Sequence, residues 1–187
     1  MHRQVFDTVR SLSFEEHLPL DWFLGSSCAS KKKTPPGTPD PKWPSQNEKH
    51  REKHSISRAD MDQVQVSTEC LSARMADILR TNLAVYQKEK RPDQNTHFVV
   101  DISQRIDRAR VGAGYSTLVT PSNVLYSTFL QGKLDGWNGM HLQGIFERDF
   151  PGWENASEAT LGSLGGNAFS ATVVMAVLLA VLVHVEL

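Results

Sequence analysis

The chain has 187 residues, of which 40% are hydrophobic and 22% are charged, enough for one domain of ordinary size. Its formal net charge of −1 provides no broadly basic surface, so we expect no nucleic acid partner. The two cysteines, Cys28 and Cys70, are too few for a disulfide scaffold and lack the spacing of a zinc site. We therefore expect neither a metal nor a cofactor.

The first 57 residues have the composition of a mostly disordered segment. Residues 27–57 contain a lysine triplet at 31–33, a run of prolines and a long polar stretch, with Trp43 and Ile56 as the large apolar residues. Such a segment buries too little apolar surface to offset the entropy lost on ordering. We predict disorder here, preceded by at most one short helix.

The same region lacks the pattern of a secretory signal peptide, which needs about 7–15 apolar residues after a basic start. The most apolar stretch, residues 18–24, is interrupted by Pro19 and Asp21. One hypothesis that keeps a secretory location is that residues 1–57 are an alternative N-terminus of a longer secreted protein.

Residues 58–150 carry the patterns of a small α/β domain. Apolar residues recur at spacings of three and four from Leu71 to Tyr86, which predicts an amphipathic helix over 68–90. Ser67 or Thr68 can cap its start, and Pro92 follows its end.

The rest of this region alternates between strand and helix patterns. Strands are predicted at 97–102, 115–120 and 140–146, and helices at 103–111 and 121–134. Gly112 and Gly114 are expected to end the first of these helices rather than to bind phosphate. The order favours roughly three helices and three short strands in a thin sheet whose strands could be parallel.

A few residues of this region could serve chemistry. His97, Asp101 and His141 could converge if their strands are neighbours, and Cys70 or Ser116 could join them in a hydrolytic or metal site. The alternation around His141 suits an exposed strand residue instead. Because nothing in the spacing selects a site, we expect no catalytic residue and favour a protein that is not an enzyme.

Two further features suggest surfaces rather than sites. Arg105, Arg108 and Arg110 form a small basic face beside Asp107, for which a solvated helix surface is preferred to docking of an acidic partner. Tryptophans at 137 and 153 lie in expected loops, where they could either anchor an interface or cover the thin core.

Residues 151–170 are small and polar and are predicted to be a flexible spacer. They contain the sequon Asn155-Ala156-Ser157, so Asn155 is a glycosylation candidate if the chain enters the secretory pathway.

Residues 171–187 form a hydrophobic tail without Lys, Arg or Asp and with one glutamate, Glu186, which lies beyond the apolar run. With the spacer, the tail resembles a glycosylphosphatidylinositol attachment signal, in which Asn155 or Ser157 would receive the lipid anchor. A tail-anchored membrane helix is the second interpretation, although no basic residue flanks the tail. A buried helix of a soluble domain is the third, but the tail shows no amphipathic stripe.

These patterns predict a membrane-associated glycoprotein, at the cell surface or in the secretory pathway. Its partners would be the lipid bilayer and an unidentified protein bound by an extracellular module. One alternative is a tail-anchored, cytosol-facing adaptor, for example at the endoplasmic reticulum. The other is a fragment of a secretory-pathway enzyme.

Overall fold

The computed structural model describes residue 24 and residues 42–93, 95–114, 116–117, 119–153, 155–168 and 171–184. The disorder predicted upstream of residue 42, Cys28 and the lysine triplet at 31–33 lie outside these residues, apart from Leu24, whose side chain is fully buried.

The described chain begins with two helices and the long helix of the fold. These are α1 (Trp43–Lys53), α2 (Arg58–Asp62) and α3 (Ala73–Lys90). Helix α3 confirms the predicted amphipathic helix, but it starts later, because the Ser72 hydroxyl accepts the Met75 N–H at 3.3 Å and caps its first turn. It ends at Arg91, which has a left-handed conformation with φ of 45°.

The next elements are four short strands, β1 (Phe98–Asp101), β2 (Val111–Ala113), β3 (Leu125–Ser127) and β4 (Gly132–Lys133). They form one sheet in the order β2-β1-β3-β4, and every pairing is antiparallel. The protein is therefore a mixed α/β fold, and the expectation of parallel strands is wrong. No helix connects the described parts of consecutive strands, so the crossover that parallel pairing needs is not formed.

Several predicted elements downstream of β1 are also wrong. Residues 103–108 form turns rather than a helix, and residues predicted as the helix 121–134 form the β3–β4 hairpin. No strand is assigned to the described residues of 115–120. The stretch 140–146 lies partly in helix α4 (Gly136–His141), where Asp135 caps the start by accepting the Asn138 N–H at 2.8 Å.

The chain continues through a short 3₁₀ helix (Glu147–Asp149) to helices α5 (Glu158–Asn167) and α6 (Ala171–His184). The predicted spacer thus contains a folded helix, which packs against α4. Leu161 of α5 is 2% exposed, and the Gly136 N–H donates to Glu158 Oε1 at 2.5 Å.

The sheet has an apolar cluster on each face. Phe98 and Val100 point to the side covered by α3, where Tyr86 packs edge-on against Phe98 with ring centroids 5.4 Å apart. Val99 and Leu125 belong to the second cluster, which also contains Leu24. The alternation along β1 follows from the two-residue period of a strand and explains why this strand was predictable from sequence.

Candidate functional site

The most conspicuous surface of the described chain is helix α6. It carries nine large apolar side chains that are between 38% and 71% exposed: Val173, Val174, Met175, Val177, Leu178, Leu179, Val181, Leu182 and Val183. Ala180 alone among its described side chains is fully buried. None of the described helices is both long and apolar enough to cross a membrane.

A helix in the core of a soluble protein would have its large apolar side chains buried, whereas those of α6 are exposed. Contiguous apolar patches larger than roughly a few hundred Å² are rare on monomeric soluble proteins and usually mark contact with a membrane or a partner. The exposed residues occur all round α6 rather than on one stripe, since consecutive positions such as Val181, Leu182 and Val183 are all exposed. An environment that is apolar on every side suits such a helix.

The two lipid-anchor candidates lie immediately before α5. Asn155 and Ser157 are both exposed. The Ser157 hydroxyl accepts the Thr160 N–H at 3.1 Å and thereby caps α5. Cleavage after either residue would separate α5 from α4.

The contact between α4 and α5 is close because both helices contain glycine. A methyl group at Gly136 would overlap the Leu161 side chain and lie 2.9 Å from the Gly162 nitrogen. A methyl group at Gly165 would lie 3.0 Å from the Gly139 carbonyl carbon. The residues after Ser157 are therefore part of the folded module, which the small and polar composition of the segment did not indicate.

The candidate catalytic residues are not assembled into one site. His97 immediately precedes β1 and Asp101 is its last residue, so their Cα atoms lie about 13 Å apart at the rise of a strand. His97 contacts the Phe129 ring, with centroids 5.0 Å apart, and Asp101 accepts the Ser103 hydroxyl at 2.6 Å. Both have local structural partners instead of each other.

His141 departs from its prediction as an exposed strand residue. It is 8% exposed in α4, and its ring lies 5.4 Å from that of Phe146 and 6.2 Å from that of Trp137. Burial lowers its pKa below the ordinary value of 6.5, and the nearby carboxylates of Asp135 and Glu147 only partly oppose that shift. The imidazole is therefore neutral at neutral pH and packs as an aromatic side chain.

The remaining catalytic candidates, Ser116 and Cys70, are not assembled into a site with the histidines or Asp101. The Ser116 hydroxyl donates to the Thr117 carbonyl at 2.9 Å, and Cys70 lies partly buried in the turn before α3. Among the described residues, no three histidine, cysteine or acidic side chains are grouped as metal ligands would be.

A second candidate site, which the sequence did not indicate, lies at the end of the β1–β2 ladder. A cavity of about 510 Å³ is lined by Asp101, Gln104, Asp107, Arg108, Ala109, Arg110, Thr117 and Thr120. The Asp101 N–H donates to the Arg110 carbonyl at 3.1 Å, which brings the turn at 103–110 beside the sheet. The three arginines were visible in the sequence, but only the turn places two of them on a concave surface.

No known protein-family model matches the chain, and no curated protein matches it either.

Proposed function

We propose that this is a membrane-associated protein whose small α/β module reaches the bilayer through the apolar segment that contains α6, which acts either as the signal for a C-terminal lipid anchor or as a retained helix. The observation that carries this proposal is the exposure of nine large apolar side chains around that helix. Burying this surface in lipid would stabilise attachment at about 25 cal/mol per Å² of apolar area.

Attachment is tested by fractionating cells that express the full chain with an N-terminal epitope tag. We expect the protein in the membrane pellet after carbonate extraction, and we expect a chain that stops at Asn167 in the supernatant. A full chain that is extracted as completely as the shortened one would refute the proposal.

The leading mode of attachment is a glycosylphosphatidylinositol anchor on Asn155 or Ser157, with the module on the extracellular or lumenal side. A helix of 14 residues is about 21 Å long, short of the roughly 30 Å hydrocarbon core but within the apolar length of an attachment signal. Release of the tagged protein by a phosphatidylinositol-specific phospholipase C is the expected result.

A retained apolar helix on a cytosol-facing adaptor is the second mode, and the packing of α5 against α4 favours it. Anchor transfer at Asn155 or Ser157 removes Leu161 and Glu158, which contact α4 in the folded module. Retention after phospholipase treatment, together with a mass that includes residues 158–187, would support this mode and refute the lipid anchor.

An N-linked glycan at Asn155 separates the two orientations. The Asn155→Gln substitution reports on which side of the membrane the module lies. It should shift the electrophoretic mobility of the protein only if the module is lumenal and Asn155 carries a glycan instead of a lipid.

The separated positions of His97, Asp101 and His141 give no support to an enzyme fragment. We propose instead that the module binds a protein partner.

A further inference from the structure

We propose that the cavity at the end of the β1–β2 ladder binds a polyol monophosphate, with Arg108 and Arg110 holding the phosphate group. This site is distinct from the attachment segment and does not depend on the proposed membrane role. The cavity, the state of its charged groups and a buried hydroxyl without a partner support it.

The charged residues that line the cavity differ in whether they form hydrogen bonds or ion pairs within the protein. Asp107 pairs with Arg105, at 3.3 Å from Oδ1 to Nε, and Asp101 Oδ1 accepts both the N–H and the hydroxyl of Ser103. Within the described part of the chain, the guanidinium groups of Arg108 and Arg110 have no hydrogen bond or ion pair. Both arginines are exposed, and the lining charges not paired among the described residues are these two guanidinium groups and the carboxylate of Asp101, whose Oδ1 is engaged by Ser103.

The Thr117 hydroxyl supplies a second observation. It is shielded from solvent and, in the described structure, forms no hydrogen bond. Buried polar groups are nearly always partnered, because an unpaired one loses its hydration without compensation. Because solvent does not reach the hydroxyl in this rotamer, rotation about the Cα–Cβ bond of Thr117 must turn it toward the cavity before a bound molecule can supply the missing partner.

The size and lining of the cavity select the class of molecule. Two guanidinium groups match the several oxygens of a phosphate, which arginine binds in a bidentate manner. A cavity of about 510 Å³ is within the range of small-molecule sites and exceeds what inorganic phosphate fills. Since hydroxyl, amide and carboxylate groups line the remainder, the body of the ligand should be hydroxylated rather than apolar.

The proposal is tested by calorimetric titration of the full chain, kept in a mild detergent at low ionic strength. The probes are glucose 6-phosphate, inorganic phosphate and glucose. We expect glucose 6-phosphate to bind, inorganic phosphate to bind more weakly because it leaves the polar wall unused, and glucose to give no measurable heat. Absence of binding by glucose 6-phosphate, or equal binding of glucose, would overturn the assignment.

Substitutions locate the binding on the protein. Arg108→Ala combined with Arg110→Ala should weaken glucose 6-phosphate binding by about tenfold or more, because hydrogen bonds between charged groups are lost. Arg58→Ala removes the same charge from an exposed position in α2 and should leave binding unchanged. Equal effects of the two changes would show a general charge effect and refute the site.

Thr117→Val keeps the branched shape of the side chain and removes only the hydroxyl. It should weaken glucose 6-phosphate binding more than inorganic phosphate binding, while the variant remains folded by circular dichroism. A folded Thr117→Val variant with unchanged affinity for both probes would contradict the role assigned to this hydroxyl.

Discussion

The Thr117 hydroxyl has a consequence for stability as well as for binding. Removing a buried polar group that has no partner relieves its desolvation cost, so Thr117→Val should raise the free energy of unfolding by about 1–3 kcal/mol. Thr128→Val is the matched contrast, because the Thr128 hydroxyl accepts the Phe98 N–H at 2.8 Å and its loss should destabilise the protein. Urea unfolding measures both, and a shift of the same sign in the two variants would contradict this account.

Alanine substitutions at two glycines, one in α4 and one in α5, should change the free energy of unfolding in opposite directions. Gly136→Ala introduces a methyl group into the Leu161 side chain and should lower the free energy of unfolding by about 1–3 kcal/mol. Gly162→Ala, in the middle of α5, meets nothing within 4 Å and should raise it by up to about 1 kcal/mol through helix propensity. Thermal unfolding of the two variants measures the difference, and destabilisation by Gly162→Ala would indicate that α5 is not a packed helix.

At the scale of elements, α1 is held to α3 by polar contacts rather than by an apolar face. Asp77 accepts the Asn47 amide at 2.6 Å and the Arg51 guanidinium at 2.9 Å, and Asn47 is 2% exposed. Asp77→Ala should therefore cost about 1–3 kcal/mol, because it leaves a buried amide and a partly buried guanidinium without their acceptor. Glu48→Ala, an exposed carboxylate on α1, is the control and should have little effect on urea unfolding or on proteolysis near residue 54.

This polar docking explains why the order of α1 was not predictable from the sequence. Composition identifies segments that can bury apolar surface, and residues 43–53 have almost none to bury. Their partner, Asp77, is 30 residues from Asn47 and 26 from Arg51, so the contact leaves no local pattern in the sequence. The folded module consequently begins before residue 58, the boundary that composition had suggested.

The elements that could be predicted from the sequence were the long ones and those with a clear pattern of apolar or β-forming residues. Helix α3 has 18 residues and a repeated apolar face, and β1 has a dense run of β-forming residues. The strands β2, β3 and β4 have only three, three and two residues, too few for a period to be read. The turn at Gln131, whose φ is 52°, creates the β3–β4 hairpin without the Asn-Gly or Asp-Gly pair that usually predicts one.

The candidate functional residues differ in the same way, since some are indicated by a short local segment and others only by contacts between segments remote in sequence. The tail and the pair Asn155 and Ser157 could be identified from composition within one short segment. The cavity that is proposed to bind phosphate could not be identified in this way, because it depends on the antiparallel register that brings Arg110 beside Asp101 and on the separate loop that carries Thr117.

At the scale of the whole molecule, two histidines, the buried His141 and the partly buried His50, make the free energy of unfolding depend on pH. Burial is the main cause that lowers the pKa of His50 and of His141 below 6.5, and for His50 the nearby His54 and Lys53 add to the effect. In the unfolded chain both regain their ordinary pKa, so below about pH 6.5 the unfolded state binds more protons than the folded state. The free energy of unfolding should therefore fall as the pH falls from about 6.5 and level off below the lowered pKa values.

Urea midpoints measured from neutral to mildly acidic pH test this dependence. His50→Gln removes one of the two groups and should make the decline shallower without changing its direction. A stability that rises as the pH falls through this interval would mean that the two imidazoles gain, rather than lose, affinity for protons on folding.

Helix α5 packs against α4 and precedes α6, the helix proposed to mediate membrane attachment. Two truncated chains separate the contribution of α5 to folding from that of α6 to attachment. The backbone of α5 also approaches the cavity, since a methyl group at Gly166 would overlap the Pro121 nitrogen and the Thr120 carbonyl carbon. A chain that stops at Asn167 loses α6 but keeps α5, so it should retain the unfolding temperature of the module and its affinity for glucose 6-phosphate.

A chain that stops at Asn155 lacks α5 as well. It should unfold at a lower temperature, because Leu161 no longer covers Gly136 and the apolar surface beside it becomes exposed to water. Calorimetric scans of the two truncated chains in the same buffer measure this difference. If both unfold at the same temperature, the contact between α4 and α5 contributes nothing to stability, and anchor transfer at Asn155 or Ser157 would leave the module intact. If the shorter chain is less stable, a lipid-anchored form would need another surface, such as a bound partner, to cover α4.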